Sequence, residues 1–145
     1  MVVYRERGKI MKPELQAAIE VYCETLSAKS LEAMRGLARG RGVAEESYDG
    51  LATTFCLEPG SKGGKYVRIV TMRGGEIGSV HAFVQVATGA LCKTGGWKGP
   101  ARGGKGASAY VLSKYNLLDP ESMQQLLAEM DVYGGHLYGG SRIPA

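Results

Sequence analysis

The chain has 145 residues, 44% of them hydrophobic, and a formal net charge of +4, which suits one domain with a proper core. Three cysteines without CxxC spacing leave one over and exclude a disulfide scaffold; reduced thiols in a cytoplasmic protein are the simplest account. Two histidines offer no visible metal set, no apolar run approaches membrane-spanning length, and MVVYRERGKIM is too short and too charged for a signal peptide.

In chain order, residues 1–11 read as a short strand or arm. Pro13 opens a helix on which Leu15, Ala18, Ile19, Tyr22, Cys23 and Leu26 recur at helical spacing. Ser27 and Ser30 read as caps for a second helix carrying Leu31, Met34, Leu37 and Ala38 and ending near Gly40, so that the two form an antiparallel pair. Residues 45–55 read as a third helix with Tyr48, Leu51, Ala52 and Phe55 on one side, weakened by Gly50. After a loop at 59–64, KYVRIVTM at 65–72 is a strand by its β-branched content and alternation.

Residues 79–114 then form the stretch the rest is organised around. Val80, Ala82, Val84 and Val86 alternate with His81, Phe83 and Gln85, and Ala87-Thr88-Gly89 reads as a three-residue turn with Gly89 at φ > 0. Pairing Val86 with Ala90 puts Ala82, Val84, Val86, Ala90, Cys92 and Thr94 on a helix-facing side. His81, Phe83, Gln85, Leu91 and Lys93 then share the other side, and a slip of one residue would exchange the faces. A glycine-rich basic loop around Trp97 follows. Residues 107–112 are ambiguous between strand and helix. Asp119-Pro120 opens a last helix with a Met123, Leu126, Leu127 and Met130 stripe. The tail VYGGHLYGGSRIPA holds Tyr133, His136 and Tyr138 between glycine pairs and adds an edge strand or packs across the core.

Charge is segregated. Residues 61–114 carry nine Lys or Arg against the single acid Glu76, whereas 1–60 balance at −1 and 115–145 at −3. Such a field favours a polyanionic partner. Residues 99–106 nearly match a phosphate loop, but Gly106 stands where the magnesium-binding hydroxyl belongs, and no buried parallel strand precedes it. Cys92 and His81 fall on opposite faces, so a thiol–imidazole pair fails on geometry, and acids are nearly absent from the sheet region. The expectation is a protein that is not an enzyme and needs no cofactor.

Nucleic-acid or nucleotide binding has more support. Phe83 and Trp97 can stack on bases, and Arg68, Lys93, Lys98, Arg102 and Lys105 can contact phosphates on an open sheet face. His81 reads as a hydrogen-bonded surface or boundary histidine.

The run SVHAFVQVATGALCK, then GWKGPARGG, LLDPES and DVYGGHLY, resembles small uncharacterised proteins of tailed bacteriophages and related viruses. Those pair a hairpin of the HxFVxxxTGxxYK kind with a W-K-x-P-A-K loop. The resemblance spans roughly residues 65–138. Cys92 stands where an aromatic is usual, and Gly95-Gly96 loosen the approach to Trp97. The resemblance implies viral origin and expression in host cytoplasm, and it carries over no catalytic residue.

The sequence therefore predicts one α+β domain over 1–145: a helical part at 12–56, a small antiparallel sheet with its basic loop at 65–114, and a C-terminal helix and tail at 119–145. Its predicted role is a phage-type accessory protein binding phosphate-rich ligands, single-stranded nucleic acid first. One rival is a sponge for host antiviral signalling nucleotides with a closed pocket, often at a subunit interface. The other is a virion or host-factor interaction protein gripping an acidic surface. No membrane partner is expected.

Overall fold

The computed structural model describes residues 10–61, 63–103, 109–138 and 142–144. Within them the chain is an α+β domain. A long helix α1 (Pro13–Gly40) is followed by a 3-10 turn (Glu45–Leu51) and four strands: β1 (Thr54–Leu57), β2 (Tyr66–Arg73), β3 (Glu76–Gln85) and β4 (Ala90–Lys93). Then come β5 (Arg102–Gly103), β6 (Ala109–Asn116), helix α2 (Pro120–Glu129), a 3-10 turn (Gly135–Leu137) and β7 (Arg142–Pro144). The strands make one antiparallel sheet in the order β1-β2-β3-β4-β6-β5, with β7 also pairing β6.

The expected pair of short helices is a single helix of 28 residues. Ser27 and Ser30 do not cap a helix start. Their hydroxyls accept hydrogen bonds from the backbone N–H of Phe55 and Thr53, each at 2.8 Å, and so fasten edge strand β1 to α1. Leu15, Ile19, Tyr22, Cys23 and Leu26 are buried on one continuous stripe, which gives the helix a reason to run straight through. It stops where Gly42 takes φ +73° and Val43 N–H bonds back to Ala38 C=O at 3.1 Å, a Schellman ending. The expected third helix is also corrected: only a 3-10 turn forms at its start, and Phe55 is a buried strand residue.

The core lies between α1 and one face of the sheet. Phe55, Val67, Ile69, Ala82, Val84, Val86 and Leu91 meet the α1 stripe, with Tyr115, Leu117, Leu126, Met130 and Leu137 closing the end. Both expectations for the tail are realised, since Leu137 and His136 are buried while Arg142–Pro144 pairs with β6.

Two register events decide where His81 and Lys93 point. The β3–β4 loop has four residues, 86–89, rather than three. Gly89, at φ +82°, donates its N–H to Gln85 C=O at 2.7 Å, and Val86 N–H bonds Lys65 C=O instead of pairing with Ala90. The pairs are therefore Ala82 with Lys93, Phe83 with Cys92 and Val84 with Leu91, one residue from the expected register. Lys93 and Leu91 turn to the α1 face, and Cys92 turns away from it.

The second event is a β-bulge. Ile69 pairs with Ala82 but the next residue, Val70, pairs with Val80, so His81 is the extra residue on β3. It leaves the face of Phe83 and points toward α1, where its Nε2 lies 2.7 Å from the Tyr22 hydroxyl.

Candidate functional site

These two slips bring His81 and Lys93 to one place. They line a cavity of about 450 Å³ between α1, the ends of β1–β4 and the tail after α2. Ser30 and Met34 contribute from α1, Thr53 from just before β1, Thr71, Arg73 and Ser79 from the sheet, and Tyr133 and Tyr138 from the tail. The size falls in the usual range for small-molecule sites. Among the described residues two cations, Arg73 and Lys93, line it, and no Asp or Glu does. Among the described residues neither cation is ion-paired. Arg73 donates to Thr53 Oγ1 at 3.3 Å, and the Lys93 ammonium sits 4.3 Å from the Tyr138 ring centre. Tyr133 and Tyr138 are 84% and 61% exposed, so two rings stand open beside the cations.

Behind His81 lies a buried polar chain. Tyr22 reaches from the middle of α1, and its hydroxyl is 2.7 Å from His81 Nε2 and 2.7 Å from His136 Nε2. Gly134, at φ +81°, makes the turn that points His136 inward, and Asp131 N–H donates to His136 Nδ1 at 2.9 Å. Burial, reinforced by the neighbouring His136, pushes His81 down to about 3. Burial also lowers His136, with Asp131 opposing, and raises Tyr22 well above its ordinary range. All three groups are neutral at pH 7.

The opposite sheet face carries Arg68, Phe83 and Trp97, in a different arrangement from the one predicted. Phe83 is only 2% exposed and cannot stack on a base. It is covered by Arg68, whose guanidinium carbon lies 5.8 Å from the Phe83 ring centre and 4.7 Å from that of Trp97. Arg68 also pairs with Glu58 at 3.0 Å and donates through Nε to the Trp97 carbonyl at 2.7 Å. It is a clamp holding the Trp97 loop onto the sheet, with its charge already matched.

Trp97 keeps 47% of its surface exposed, and Lys98 beside it is exposed. Arg102 is placed by its backbone in β5, opposite Tyr110, and Lys105 lies outside the described residues. The single platform is thus divided: Lys93 belongs to the cavity, Trp97 and Lys98 to the far face. Cys92 and His81 remain on opposite faces, each having exchanged sides.

Sequence reading missed Tyr22, Arg73, Tyr133, Tyr138 and His136 as site residues. The tail's Tyr133 and Tyr138, each followed by a glycine pair, with His136 between them, were the available signal; nothing local marks Tyr22, which reads as core. Among the described residues, no group of three or more His, Cys, Asp or Glu could hold a metal, and no helix is long and apolar enough to cross a membrane.

The chain belongs to a family of unknown function, DUF7717, whose profile matches residues 4–139. No curated protein and no solved structure matches it.

Proposed function

We propose that this member of DUF7717 is a non-enzymatic binding protein for small phosphate-bearing ligands of the nucleotide class, taken up in the cavity behind Lys93. One observation carries the reading: among the described residues, a 450 Å³ cavity is lined by two cations without carboxylate partners and two open tyrosine rings, and by no Asp or Glu. Arg73 and Lys93 supply charge for phosphate oxygens, the hydroxyls of Thr53, Thr71 and Ser79 supply donors, and Tyr133 or Tyr138 offers a face to a base. The resemblance to phage proteins adds a setting, a virus-encoded sponge for host signalling nucleotides in the host cytoplasm.

A test is to heat-denature freshly purified protein, identify any released nucleotide, and titrate the emptied protein with adenosine monophosphate and short oligonucleotides at two ionic strengths. Binding of the mononucleotide is expected to weaken at least about tenfold in Lys93→Glu, because attraction becomes repulsion in a partly desolvated site. Trp97→Ala should leave it unchanged. Mononucleotide binding that survives Lys93→Glu would refute the assignment.

Single-stranded nucleic acid is the second reading, favoured by exposed Trp97 beside Lys98 on the far face. It predicts the reverse pattern: oligonucleotides bind, and Trp97→Ala weakens them while Lys93→Glu does not.

A further inference from the structure

Only one direction of the hydrogen bonds around Tyr22 gives its buried hydroxyl proton an acceptor. Asp131 N–H is a donor, so His136 Nδ1 accepts with its lone pair at 2.9 Å and the neutral ring carries its proton on Nε2. That Nε2–H donates to the Tyr22 oxygen at 2.7 Å. The Tyr22 hydroxyl must then donate onward to His81 Nε2, also at 2.7 Å, which leaves the His81 proton on Nδ1. His81 Nδ1 has no hydrogen-bond partner among the described residues, and His81 is a wall residue of the cavity.

We infer that Tyr22 and His136 are positioning residues that lock His81 as a neutral Nδ1–H donor facing the cavity, and that this donor selects a ligand group that accepts a hydrogen bond there, such as a phosphate oxygen. The inference rests on the proposed cavity function for its ligand, while the lock stands on the hydrogen-bond geometry alone. A solvated histidine can offer either a proton or a lone pair to a ligand. The locked one offers only a proton, so a ligand group that must donate at this point is refused. The lock also withdraws His81 from general-base chemistry, since one nitrogen is protonated and the other lone pair is occupied by Tyr22. The cavity side of this histidine is thereby a binding group rather than a reactive one.

The chain has two histidines, so imidazole nitrogen spectra of uniformly 15N-labelled protein resolve both rings, with His81→Gln, which leaves only the His136 ring, providing the assignment. At pH 7 the expected result is His81 as the Nδ1–H tautomer and His136 as the Nε2–H tautomer. Tyr22→Phe, checked for folding by its amide spectrum, should return His81 to a mixed tautomer. It should also weaken adenosine monophosphate roughly two- to tenfold, the range for one neutral hydrogen bond. Inorganic phosphate and then adenosine monophosphate are added to the wild-type protein, and the His81 Nδ1–H proton should move downfield. A His81 Nε2–H tautomer in the wild-type protein overturns the lock, whatever Tyr22→Phe does. The lock with ligand shifts at Lys93 but none at His81 Nδ1–H overturns the selection. The lock with no ligand response anywhere in the cavity leaves the tautomer chain standing and refutes the binding reading instead.

Discussion

Lowering the pH from 6.5 to 4 is expected to cost the protein about 3 kcal/mol of stability through His81 alone, at about 1.4 kcal/mol per pH unit. His81 is held down to about 3 in the folded protein by burial and by His136, whereas in the unfolded chain it titrates near its ordinary 6.5. Between those values the unfolded chain binds a proton that the native state refuses, so stability falls as pH falls. Above 6.5 both states are neutral at this site and the dependence vanishes. His136, lowered by burial and by Lys29 against the opposing pull of Asp131, adds to the same slope. Asp49 and Glu129 have carboxyls lowered by Arg35 and Tyr115 respectively, so their loss comes later, as pH falls below the ordinary carboxylate range. Urea midpoints at pH 7, 5.5 and 4 check this. His81→Gln should start less stable and show a flatter curve. A wild-type curve that stays level down to pH 4.5 would mean that the histidines are not held neutral.

Replacing Arg68 by alanine is expected to destabilise the protein by about 2–4 kcal/mol and to shift Trp97 emission to longer wavelength. The substitution removes a charge-assisted bond to the Trp97 carbonyl, stacking over two rings and the partner of half-buried Glu58. Phe83 would then meet water on the side that Arg68 now covers. Arg68→Lys keeps the charge but not the planar fork and should lose an intermediate amount. Adenosine monophosphate affinity should stay within about twofold, because the clamp lies on the face away from the cavity. Denaturant titration followed by tryptophan emission reads both effects. Full stability in Arg68→Ala would show that the guanidinium is free for another ligand, as the sequence alone suggested.

What the sequence made legible was what local chemistry decides. β2 follows from KYVRIVTM, α2 from Asp119-Pro120, and the positive φ at Gly89 from the need for a tight turn. Register was not legible, because an odd or even loop length exchanges a whole strand's faces and both loops suit the same residues. Gly89 settles it through contacts from elsewhere. Its N–H closes on Gln85, and a Cβ there would lie 2.7 Å from Leu118 Cγ, against a segment 29 residues on. The bulge at His81 is likewise fixed from outside the hairpin, by the hydroxyl of Tyr22 in α1. Ser27 and Ser30 looked like caps because their hydroxyls need backbone donors; the donors are Phe55 in β1 and Thr53 just before it rather than a new helix.

The same reason explains the fate of the predicted site. Charge segregation correctly drew attention to Lys93 and Trp97, but a shift of one residue separates them onto two faces. The groups that do join Lys93 come from 20 residues earlier and 40 or more later, at Arg73, Tyr133 and Tyr138. No spacing rule reaches that far.

The most direct test of the cavity assignment is an amide chemical-shift map of 15N-labelled protein titrated with adenosine monophosphate at low salt. The account predicts saturable shifts gathered at His81, Lys93, Arg73, Tyr133 and Tyr138, with Trp97 and Lys98 unmoved. Shifts confined to Trp97 and Lys98, or none at millimolar ligand, would contradict it.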